Sequence, residues 1–215
     1  MTHHTDPRQF DAQSETGGGA WADLPEWDLS DLYPSVDAPE LKRDMEFLTK
    51  ECAAFAADYE GKLANLDAKA MLDCVLRYEK IDMVAGRIMS FAGLRYYQKT
   101  TDAGRAKFMS DCQDKITNAT TALVFFSLEF NRLDEAHLEA LLAANAELAR
   151  YRPVFDRMRA MKPYQLSDEM EKFLHDQSVV GAAAWNRLFD ETIAGMSFEV
   201  DGVIATNTTV ARQGL

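Results

Sequence analysis

APELKRDMEFLTKECAAFAADYEG, Ala38 to Gly61, carries the reading of the fold. Leu41, Met45, Leu48, Cys52, Phe55 and Tyr59 recur at alternating spacings of four and three, which puts them on one stripe of an α-helix. The stretch also has marked ends. Asp37 is placed to cap the free amides, Pro39 suits a first turn, Glu40 can reach back as in a capping box, and Gly61 stands where a C-terminal cap would.

Working outward, a second helix starts at Asp67 and runs to about Tyr97, with Met71, Val75, Tyr78, Ala85, Ile88 and Ala92 on one side. Gly86 and Gly93 each lower its stability by about 1 kcal/mol relative to alanine and are read as marking close helix contacts. A third helix opens at Thr101-Asp102 and repeats Phe108, Cys112, Ala119, Phe126 and Phe130. The apolar run ALVFF at 122–126 adds burial on more than one side. Short links at Gly61 and near Thr100 make these helices neighbours in an antiparallel bundle.

The rest of the chain is more broken. Helices are predicted at 135–145, at 147–162 with a kink at Pro153, at 167–176 capped by Ser167, and at 182–194 ended by Gly195. In MSFEVDGVIATNTTV, Asp201-Gly202 is a type I′ turn signal between β-prone segments and predicts a hairpin over 197–210. The fold class is therefore all-α: an antiparallel up-and-down helical bundle followed by shorter helices and a C-terminal β-hairpin.

Residues 1–23, with Gly17-Gly18-Gly19 and little apolar pattern, read as a disordered tail. Residues 24–133 comprise a strap and the long-helix bundle, and 134–215 the shorter helices and hairpin. The strap is LPEWDLSDLYPS, Leu24 to Ser35, in which Pro25 and Pro34 stiffen the path while Trp27 and Tyr33 offer apolar bodies with polar handles. It is expected to lie on the bundle with Trp27 buried.

With 215 residues and 47% apolar composition the chain can build a core. A net charge of −12 argues against nucleic acid and acidic membrane surfaces as partners. No run of about 18 apolar residues occurs, and MTHHTDPRQF lacks the apolar core of a secretory signal, so the cytoplasm is the expected compartment. The three cysteines, Cys52, Cys74 and Cys112, fall on or beside apolar stripes and read as buried reduced thiols.

Catalytic signatures are missing from the sequence. There is no His-Glu-x-x-His, Gly-x-Ser-x-Gly, Walker-type loop or dinucleotide fingerprint. His137-Leu-Glu139 has a spacing used by zinc deaminases but lacks the accompanying Pro-Cys-x-x-Cys, and His175 beside Asp176 suits a helix end. Arg150, Arg152, Arg157, Arg159 and Lys162 form either a docking surface for carboxylates or, the simpler reading, a solvated face pairing with the acidic excess. Asp168-Glu169 suits an N-terminal helix dipole. No catalytic, cofactor-binding or metal-binding residue is assigned.

Several stretches together resemble the N-terminal part of the oligoendopeptidase F group within the M3 family of zinc metallopeptidases. They are LPEWDLSDLYPS, GRIMSFAGLRYY, PYQLSDEMEKFLHD, and GAAAWNRLFDE followed by MSFEVDG, in the family's order and over about residues 24–210. The resemblance implies a longer, mostly helical parent enclosing a cleft, where zinc held by His-Glu-x-x-His and a later glutamate cleaves short peptides. All of those motif residues would lie beyond Leu215. The expected role is thus a non-catalytic part of the cleft wall, inactive alone and without zinc, which self-associates through its C-terminal helix and hairpin. A stand-alone helical protein-interaction module is the alternative.

Overall fold

In the computed structural model, which describes residues 28–196, the helix read from Ala38–Gly61 spans Pro39–Tyr59 (α1). Leu41, Leu48, Cys52 and Phe55 are buried along its seam, with Met45 and Tyr59 partly so. Its start differs from expectation: Ala38 is the N-cap residue and no side chain caps the helix, so Pro39 alone prepares the first turn. At the other end Gly61 adopts φ +78°, a left-handed conformation that glycine enters without steric cost. Its amide donates to Glu129 Oε1 at 2.6 Å.

Helix α2 covers Ala68–Gln98, capped by Asp67, whose Oδ1 accepts from the Ala70 amide at 2.8 Å. The third helix is not continuous. It forms α3, Ala103–Thr120, then a 3₁₀ turn over Thr121–Leu123, then α4, Val124–Arg132. Threonine hydroxyls bonded back to helix carbonyls disturb the i→i−4 ladder, and three such bonds converge here. Thr120 Oγ1 donates to Ile116 O at 2.9 Å and Thr117 O at 3.3 Å, and Thr121 Oγ1 to Thr117 O at 2.9 Å.

Helices α1, α2 and α3 pack pairwise, as an antiparallel bundle requires. Phe55 is its hub, fully buried with the rings of Tyr59, Tyr78, Phe125 and Phe126 at centroid distances of 4.9, 5.9, 5.8 and 5.9 Å. Arg77 clamps α2 to α1, reaching Glu51 at 2.5 Å and Asp58 at 2.6 Å.

The remaining helices are α5 (Glu135–Ala144), α6 (Ala146–Ala149), α7 (Arg152–Ala160), α8 (Asp168–Gln177) and α9 (Ala182–Ala194). The helix expected over 147–162 is divided: Pro153 begins α7 instead of kinking a longer element, since it fits a first turn where its missing N–H costs nothing. Ser167 caps α8 as expected.

The C-terminal β-hairpin is corrected. No strand forms among the described residues, which are helical and loop throughout, and the segment 197–210 lies outside them. A turn signal such as Asp201-Gly202 supplies only a reversal; a two-stranded hairpin without further strands or a packing face is marginal in water.

The strap is anchored by Tyr33, which is 1% exposed. Its hydroxyl donates to Asp44 Oδ2 at 2.6 Å, its ring meets Phe91 edge-on at 5.4 Å, and the Arg87 guanidinium lies 4.4 Å above it. Burial and the Asp44 bond push the phenol well above its ordinary value. Trp27 lies outside the described residues.

Gly86 gives a further correction. Gly93 is buried, and a Cβ built there would meet Tyr97 at 3.7 Å and Met109 of α3 at 4.0 Å, whereas one on Gly86 would meet nothing within 4 Å. Replacing Gly86 by alanine is therefore expected to raise stability by about 1 kcal/mol. Gly61→Ala, forced into a left-handed backbone, is expected to lower it by a similar ~1 kcal/mol. Urea midpoints that move in the same direction for both would refute this assignment.

Candidate functional site

The break between α3 and α4 is where α8 is tied down. Thr120 Oγ1 lies 3.1 Å from His175 Nε2, and Thr121 Oγ1 shares its single proton between Asp176 Oδ1 at 2.5 Å and the Thr117 carbonyl. At the opposite end of α8, Arg132 on α4 forms an ion pair with Asp168. Lys172 reaches Glu60 at 3.3 Å. Asp168, Glu169 and Glu171 occupy the first turn of α8, as the dipole reading anticipated.

These polar ties hold α8 away from full burial. None of its side chains is buried, and beneath it a cavity of about 670 Å³ opens toward α2. Ile81, Ala85, Met89, Ile116, Leu123 and Leu174 supply apolar surface, Gly86 leaves room, and Asp82, Thr120, Glu171 and His175 add polar groups. A second cavity of about 280 Å³ shares Ser127 and Glu171 with the first and continues along Asn131, Met158 and Gln165. None of these residues stood out as functional in the sequence. Gly86 was the available signal, and it was read as a close helix contact.

The next helix carries an uncovered stripe. Trp185, Leu188, Phe189 and Ile193 follow i, i+3, i+4, i+8 spacing on α9, and all are exposed, Trp185 at 69%. Phe173 and Leu174 on α8 are also exposed.

Residues 129–198, from α4 through α9, match the family model of the M3 peptidase N-terminal region, described as oligopeptidase F. Oligopeptidase PepF of Bacillus subtilis is 25% identical over 161 residues, covering 74% of this chain and 23% of that protein. Both matches support a likeness to the N-terminal portion of the oligopeptidase F group. It spans less than a quarter of the curated relative it matches. No solved structure matches.

Within the matched region the arginine cluster is only partly paired. Arg152 holds Glu139 through two bonds of 2.6 and 2.7 Å. Arg159 donates to the Leu133 carbonyl at 3.2 Å and to Glu135 at 2.6 Å, satisfying the C-terminal end of α4. Arg150, Arg157 and Lys162 have no carboxylate partner among the described residues.

The His137-Leu-Glu139 pair does not form a site. Arg152 bonds Glu139 and holds its carboxyl below the usual range, while His137 Nε2 is buried without a hydrogen-bond partner among the described residues. Cys52, Cys74 and Cys112 are free and buried, and burial pushes their thiols up to about 11, 12 and 11. At neutral pH they are protonated and poor nucleophiles. No helix among the described residues is long and apolar enough to cross a membrane.

The ties on α8 have a pH signature. The Arg132 hydrogen bond holds the Asp168 carboxyl below its ordinary value, so its stabilisation is complete above about pH 4 and is lost as pH falls through the depressed value. Hydrogen-exchange protection factors in α8 are expected to fall over that acid range before those of α2. Arg132→Ala is expected to loosen α8 already at neutral pH. Protection of α8 that follows α2 throughout, in both proteins, is the contrary result.

Proposed function

We propose that this chain is the helical, non-catalytic N-terminal region of a zinc-dependent oligoendopeptidase acting on short peptides in the cytoplasm. It forms part of the substrate-cleft wall and is inactive by itself. On this reading residues 24–133 supply a rigid bundle and 134–215 lead into the catalytic part.

The supporting observation is where the family match falls. Residues 129–198 include the α8 and α9 side chains left uncovered, Phe173, Leu174, Trp185, Leu188 and Phe189 among them. Exposed apolar side chains at helical spacing, as on α9, are normally buried against another element. In the parent, metal-activated water would attack the peptide bond. The described residues contain no group of three or more His, Cys, Asp or Glu able to hold a metal, so no step of that hydrolysis is assigned to them.

The isolated 215-residue protein is expected to bind no stoichiometric zinc and to leave short peptides uncut. Elemental analysis finding one zinc per chain together with chelator-sensitive cleavage would sink the proposal. The α9 stripe also leads us to expect self-association at high concentration, weakened by Trp185→Glu. Light scattering that gives a strict monomer throughout the concentration range would contradict it.

A further inference from the structure

We propose that the outward face of α7 docks an acidic helix of a partner protein, one carrying carboxylates two turns apart with apolar residues between them. The inference stands apart from the cleft-wall reading, because that face shares no residue with the apolar stripe on α9.

The face is set by what α7 buries. Phe155 is 1% exposed and packs on Phe130 at 4.5 Å, and Tyr151 and Met158 lie against the same core. With about 3.6 residues per turn, the opposite side presents Arg150, Val154, Arg157 and Met161 at spacings of four, three and four. Arg150 and Met161, which flank α7, keep right-handed helical backbone angles, so the stripe runs past both ends of the helix. Val154 and Met161 are exposed, and exposed Tyr164 follows with Lys162 in the next turn. Alternating spacings of three and four form the line along which one helix meets another lying beside it.

Charge selects the chemistry of that second helix. The chain has 35 acidic and 23 basic residues, so carboxylates are plentiful, and Arg152 and Arg159 of the same segment each hold one. Arg150, Arg157 and Lys162 hold none among the described residues. Asp156, the one carboxylate within 150–162, acts on Arg152 one turn before it. The stripe thus offers two guanidinium groups seven residues apart, with Val154 between them and Met161 beyond. Glutamates at the same interval on a helix alongside meet both, since a guanidinium grips a carboxylate through paired N–H donors. A nucleic-acid backbone fits less well, because it would face the net charge of −12 carried by the chain as a whole.

The test uses the 215-residue protein and a fluorescein-labelled, stapled helix of three heptads, with glutamate and leucine at alternating spacings of four and three, against a counterpart with lysine in place of glutamate. Anisotropy is expected to show saturable, salt-sensitive binding of the glutamate helix only. Arg157→Glu is expected to weaken it by about tenfold and Arg150→Ala by about threefold, with thermal midpoints unchanged because both side chains are exposed. Trp185→Glu on α9 is expected to leave this binding as it is. Equal binding of the lysine helix, unchanged binding by Arg157→Glu, loss of binding by Trp185→Glu, or no saturable binding overturns the proposal. So does equal binding of a flexible hexapeptide of glutamate and leucine, which would make the face a site for short peptides, or stronger binding of a single-stranded oligonucleotide.

Discussion

Two hydroxyl groups shape the whole second half of the described chain. Thr120 and Thr121 return their Oγ1 atoms to carbonyls one turn earlier, and the helix that would have run unbroken from Ala103 to Arg132 divides into α3 and α4. Without that break α4 would continue the line of the bundle. With it, Phe125, Phe126 and Phe130 are buried in the core, while Thr120 and Thr121 face His175 and Asp176 of α8. The same two residues thus end one helix and seat another.

What α8 rests on explains why it leaves space beneath it. Its polar ties are an ion pair at its start, a contact from Lys172 near its middle to Glu60 just past α1, and two hydroxyl contacts at its end. The bundle is held differently, by Phe55 and its surrounding rings with Arg77 across the α1–α2 seam. Apolar packing pulls helices into contact over their whole length, whereas ionic ties fix separation at points.

How much of this was legible follows from which interactions are local. The α1 seam, the Asp67 and Ser167 caps and the ends of α9 are written in spacings of a few residues, and the structure places them as expected. The threonine break was equally local, but the strong apolar run ALVFF masked it, since helical periodicity continues across a 3₁₀ turn almost unchanged. Tyr33 was noticed in the strap, yet its partners Asp44, Arg87 and Phe91 come from two other helices and no spacing announces them. Gly86 was misread for a related reason: a helical glycine marks space, and only the tertiary arrangement says whether a neighbour fills it. The cavity residues, drawn from α2, α3, α4 and α8, have no sequence signature at all.

The three buried thiols sit one on each helix of the bundle: Cys52 on α1, Cys74 on α2 and Cys112 on α3. Because burial keeps each protonated, a thiol reagent can react only when its own helix parts from the others. The bundle therefore carries a separate chemical reporter of opening in every helix, and the order in which they are alkylated traces the order in which the core comes apart.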